Sequence, residues 1–136
     1  MTWVKVCGLT RESDVVAAVD AGADALGFVL APRSPRAIDT TRAAALMDGV
    51  PALRILVTVD TAAGEMSEAV AATGADGIQP HGAHADEAAR WAQARGLTLS
   101  ALLVLLAHLS EASTDQVRHS RLRSTELKTA SQWKTS

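Results

Sequence analysis

The tripeptide Gly-Ala-Asp occurs twice, at Gly22-Ala23-Asp24 and at Gly74-Ala75-Asp76. Each copy follows a stretch of helical character and leads into an apolar run. A glycine that stops a helix, followed at once by a strand, is the joint of a βα unit. Strand starts fall near residues 3, 25, 54 and 76, so the unit repeats four times. Strict alternation of β and α calls for a parallel sheet with helices outside it. Two closures satisfy that pattern at this point, a TIM barrel and a doubly wound open sheet.

The elements between the joints follow from local chemistry. Val4 and Val6 alternate with Trp3 and Lys5 as a short strand that ends at Cys7, and Gly8 breaks it. Thr10 is a suitable cap for a helix over residues 11–21. Ala25 to Leu30 is apolar on both faces, as a buried parallel strand should be. Pro32 and Pro35 stiffen the loop after it, which carries Arg33 and Arg36. Asp39 or Thr40 caps a second helix over 41–47. A β-branched strand covers 54–60, and a third helix covers 62–73. The fourth strand begins at Gly77-Ile78-Gln79 and reaches Pro80-His81-Gly82; the fourth helix covers 85–95. Residues 97–106 read as a fifth strand. Glycine and proline do not occur after Gly96. The expected organisation is therefore a partial barrel over 1–106 and a poorly ordered or unrelated tail over 107–136.

Composition narrows the function. A net charge of −2 gives no electrostatic reason to bind nucleic acid or an acidic membrane. The single cysteine rules out an internal disulfide framework and fits a reducing compartment. The amino terminus runs directly into a strand without a signal peptide, and the apolar run 101–107 is too short to span a bilayer. The expected location is cytoplasmic. No P-loop, GxGxxG or GxSxG pattern is present.

Chemistry-bearing residues gather where strands end, which in α/β proteins is where ligands bind. Cys7 ends the first strand and faces a helix start; a thiol so placed suits proton transfer or nucleophilic attack. Arg36 offers a planar fork for a carboxylate or phosphate. His81 ends the fourth strand, where it can donate to a ligand or exchange protons near neutral pH. Gln79, two residues earlier, can hydrogen-bond a ligand. Each also has an ordinary structural role: a small buried hydrophobe, a solvated loop charge, a packing imidazole. Asp60 reads as a strand-ending turn residue, and His84, Asp86 and Glu87 as helix-start residues. His81 and His84 lack a third ligand, so no metal site is expected.

The combination says more than its parts. Lys5-Val6-Cys7-Gly8-Leu9-Thr10, Gly22 to Val29, Ser34-Pro35-Arg36 and Gln79-Pro80-His81-Gly82 together resemble the phosphoribosylanthranilate isomerase family over about residues 2–96. The resemblance implies a (β/α)₈ barrel and tryptophan biosynthesis. The implied reaction is a cofactor-free Amadori rearrangement of N-(5-phosphoribosyl)anthranilate to 1-(2-carboxyphenylamino)-1-deoxyribulose 5-phosphate. It implies that Cys7 is the general base at C2, that Arg36 holds the anthranilate part and that His81 and Gln79 line the substrate site. Thr58 stands where the family carries phenylalanine, and Pro80 where it carries leucine. The family's general acid, an aspartate at the end of a later strand, and its glycine-rich phosphate loops have no match after Gly96; Asp115 is the only aspartate there. The resemblance thus implies the N-terminal portion of such an enzyme, truncated and impaired or inactive alone. Its open sheet would close by homodimerisation or by pairing with a complementing half-barrel.

Overall fold

Four βα units in succession and the start of a fifth strand make up residues 3–99, the part of the chain that the computed structural model describes. In order these are β1 (Lys5–Cys7), α1 (Glu12–Asp20), β2 (Ala25–Val29), α2 (Thr40–Met47), β3 (Leu53–Val59), α3 (Ala63–Thr73), β4 (Gly77–His81), α4 (Ala85–Gln93) and β5 (Thr98–Leu99). The strands form one sheet in sequence order, every neighbouring pair parallel. One row, Cys7–Gly27–Ile55–Gly77–Thr98, crosses all five strands.

That register sorts the side chains, because they alternate along each strand. Val6, Leu26, Phe28, Leu56 and Ile78 share one face and join a single buried cluster with Val15 and Ala18 of α1, Leu46 and Met47 of α2, Met66 and Ala69 of α3, and Ala88 and Ala92 of α4. All four helices therefore lie on the same side of the sheet. A doubly wound sheet needs helices on both faces and a reversal of strand order, and neither occurs among the described residues. The architecture is an arc of a (β/α) barrel. Each large side chain in the cluster, such as the fully buried Phe28, Leu56 or Ile78, contributes about 1.5–3 kcal/mol. The opposite face, the barrel interior, carries Lys5, Cys7, Gly27, Val29, Ile55, Val57, Gln79 and His81.

The repeated Gly-Ala-Asp joint does the same work twice at the amino ends of the strands. Asp24 accepts a hydrogen bond from the Val4 amide (2.7 Å), and Asp76 accepts one from the Arg54 amide (2.9 Å). In each case the aspartate's own amide donates back to the same residue's carbonyl at 2.9 Å. Asp76 further binds the Arg54 guanidinium through both oxygens, each at 2.8 Å. Arg54 in turn holds the Asp76 carboxyl below its ordinary range, chiefly through the side-chain hydrogen bond.

One expectation changes, and one open choice is decided. Thr10 is not the cap of α1: Arg11 occupies that position without a side-chain cap. The Gly8 and Leu9 amides are both tied to the Gly27 carbonyl (2.9 and 3.2 Å), so the chain leaves the sheet late and α1 starts one residue further on. Asp39, and not Thr40, caps α2, accepting from the Arg42 amide at 2.7 Å. Pro80 sits inside β4, but the described pairing with β5 ends at Ile78, two residues before it. The rest of the expected fifth strand and the boundary at 106/107 lie outside the described residues.

Candidate active site

The carboxyl ends of β1, β2, β3 and β4 form one rim. Residues 30–39 fold back along that rim: the Ile38 amide donates to the Val29 carbonyl (2.9 Å), and the Arg36 amide donates to Ser34 Oγ (3.2 Å). The turn carries Arg36 from β2 across to β1, where Nη1 donates to the Cys7 carbonyl at 3.3 Å. Its guanidinium lies on Gly8, which has φ +81°; a Cβ there would stand 2.6 Å from Nη1. The backbone conformation favours glycine there, and its lack of a side chain lets the arginine lie close.

Cys7 points to the barrel interior, half-buried, against Val29, Ala31 and Val57. Its neighbour in the row is Gly27, where a Cβ would stand 2.6 Å from the sulfur. The bare glycine makes the space that the thiol occupies. Sequence reasoning placed Gly27 only as part of an apolar strand. A glycine inside a strand was the available signal, since it marks a close approach.

A second group lies across the interior. The Lys5 ammonium, almost wholly buried, donates to Gln79 Oε1, and Gln79 Nε2 lies 3.1 Å from His81 Nε2. Burial pulls the Lys5 ammonium below its ordinary range, and charge on Cys7 opposes that pull. Burial also lowers the His81 imidazole below its ordinary 6.5, with the Lys5 charge adding to the effect. The neutral ring is thus favoured near neutral pH. Lys5 was visible in the sequence as a charge near Cys7, but its link to Gln79, 74 positions away, was not.

Of the four residues singled out, Cys7 and Arg36 meet directly, and Gln79 and His81 meet directly. Lys5 stands between the two pairs. Asp60 has the turn role expected of it: its φ is 53°, and its carboxylate accepts from the Ala83 amide at 2.6 Å. His84 lies at the start of α4, 3.6 Å from Glu87. The rim thus brings together a half-buried thiol, an arginine fork on the Cys7 carbonyl and, across the interior, an imidazole that favours its neutral form.

A family model described as N-(5'phosphoribosyl)anthranilate (PRA) isomerase matches residues 4–121, past the point at which motif matching ended. The N-(5'-phosphoribosyl)anthranilate isomerase of Rhodospirillum rubrum is 42% identical over 98 residues, covering 68% of this chain and 45% of the relative. That of Chromohalobacter salexigens is 60% identical over 67 residues, covering 48% and 32%. Among solved structures, a phosphoribosyl anthranilate isomerase in complex with reduced 1-(o-carboxyphenylamino)-1-deoxyribulose 5-phosphate superposes with a TM-score of 0.68 at 30% identity, covering 73% of this chain and 52% of that one. Monomers of the dimeric Thermotoga maritima enzyme give 0.67 at 29% identity, covering 73% and 50%. The chain therefore spans about half the length of the relatives it matches. Matching barrel, matching rim and a family match over most of its length lead to one conclusion: the chain belongs to the N-(5'-phosphoribosyl)anthranilate isomerase family.

Proposed function

We propose that this chain supplies the proton-abstracting half of a phosphoribosylanthranilate isomerase site. The observation that carries the reading is the Cys7 arrangement: a thiol at the end of β1, given space by Gly27, with Arg36 drawn over Gly8 onto the same residue's carbonyl. In the Amadori rearrangement a base removes the C2 proton of the aminoaldose while an acid protonates elsewhere on the sugar. Cys7 takes the first role. Arg36 binds the anthranilate carboxylate as a fork, and Gln79 with His81 lines the opposite wall. The chemistry asks for no cofactor.

The general acid and the phosphate anchor are not supplied by residues 3–99, whose rim acid, Asp60, is engaged by the Ala83 amide. Turnover by the chain alone is accordingly weak or absent. Purified chain should be assayed by loss of phosphoribosylanthranilate fluorescence, beside Cys7→Ala. Weak turnover that disappears in Cys7→Ala supports the assignment; turnover that survives the substitution overturns it. A second reading rests on the chain's spanning 45% of the Rhodospirillum rubrum relative: a half-barrel that acts after pairing with a complementing half or a second copy. A soluble, folded chain without turnover favours that reading. Among the described residues no helix is long and apolar enough to cross a membrane; a reducing compartment such as the cytoplasm suits a reaction that uses a free thiol.

A further inference from the structure

The interior line from Lys5 to His81 fixes more than position. Lys5 Nζ donates to Gln79, so the end of the amide facing Lys5 must be the oxygen. That leaves the amide nitrogen as the end facing His81, at 3.1 Å from Nε2. An amide N–H cannot face a ring N–H, so Nε2 must carry the lone pair. A neutral imidazole with its lone pair on Nε2 has its proton on Nδ1. We propose that Lys5 is a positioning residue which, through the orientation of the Gln79 amide, holds His81 in the Nδ1–H tautomer.

Free imidazole side chains favour the other tautomer, so the assignment has a direction that chance would not supply. The lowered His81 pKa fits the same arrangement, since a charged ring would set a second N–H against the amide and lie near the Lys5 charge. The consequence for the site deepens the proposed isomerase reading and rests on it: the hydrogen that His81 can offer a bound substrate is Nδ1–H, while Nε2 is occupied within the protein. Lys5 acts through Gln79.

The test needs no turnover, so an inactive chain does not prejudice it. Long-range ¹H–¹⁵N correlation spectra of the full chain, recorded near neutral pH, where burial already favours the neutral His81 ring, distinguish protonated from unprotonated ring nitrogens. His81→Asn identifies the His81 signals among the four histidines. The expected wild-type result is a protonated Nδ1 and a lone pair on Nε2. Gln79→Glu replaces the donating end by a carboxylate oxygen, which still accepts from Lys5, and should move the proton to Nε2. Lys5→Met removes the ammonium donor to the amide oxygen and should weaken the preference for Nδ1–H; should it fail to fold, Gln79→Glu carries the test. An Nε2–H signal in the wild-type chain overturns the proposal. So does an unchanged Nδ1–H signal in Gln79→Glu. Failure of the isomerase reading would show instead as turnover indifferent to Cys7.

Discussion

Two residues carry tension that a substitution can read out. Gly27 is the space in which the Cys7 sulfur sits, and a methyl group there would also press the Cys7 backbone at 3.2 Å. Neither neighbour is the free end of a flexible chain, so β1 must shift. Gly27→Ala should destabilise the fold by about 1–3 kcal/mol and slow alkylation of Cys7 by a small thiol reagent; an unchanged alkylation rate would show that the thiol does not depend on that space. Thr58 is the opposite case. It is buried on the helix-facing side of β3, and its hydroxyl finds no partner among the described residues. An apolar side chain there would have no such group to satisfy. Thr58→Val keeps the shape and removes the orphan hydroxyl, so it should raise stability by about 1 kcal/mol in urea unfolding.

At the scale of elements, the two Gly-Ala-Asp joints are equal in sequence and unequal in structure. Both aspartates tie the amino end of one strand to the next, at the face of the barrel remote from the rim, where structural roles belong. Asp24 is exposed and accepts a backbone amide from Val4. Asp76 accepts the equivalent amide and also both arms of the Arg54 guanidinium, with a third of its side chain exposed. Asp24→Ala should therefore cost about 0.5–1 kcal/mol. Asp76→Ala should cost about 1–2 kcal/mol, solvent screening having already reduced the ion pair. The comparison is made by parallel urea titrations, and equal midpoints would mean that Arg54 adds nothing. The Asp76 carboxyl lies below its ordinary 3.8 in the folded chain, so its contribution is present above that value. It is lost as pH falls through the depressed folded value.

The described residues form an arc of the barrel. Among the described residues β1 and β5 stand at the ends of a five-stranded sheet, and parallel strands are stable in nature when their edges are covered. The chain covers 45% of the Rhodospirillum rubrum relative, so the remaining length of such a relative is the obvious candidate to cover those edges. Mixing this chain with the C-terminal half of the Rhodospirillum rubrum relative, produced separately, should raise turnover at least tenfold over the chain alone, and Cys7→Ala should abolish the gain. A mixture no more active than its parts would leave the half-barrel without a complementary partner of that kind.

The sequence alone determined the order and type of the elements, because glycine stops and apolar strands are local signals. It also placed Cys7, Arg36 and His81 at strand ends, because a residue's place along its own strand is local. Helix starts were less legible: Thr10 offered a cap, but the Gly27 carbonyl held the chain in the sheet past it. Local pattern could not choose between a barrel and a doubly wound sheet, since both repeat βα; the strand order and the single helix-bearing face decided that. Nor could it show that Gly27 clears the Cys7 sulfur, or that Lys5 reaches Gln79 across 74 positions. Those facts depend on the register between strands, and register is set by packing the whole sheet against its helices, which no stretch of chain encodes by itself.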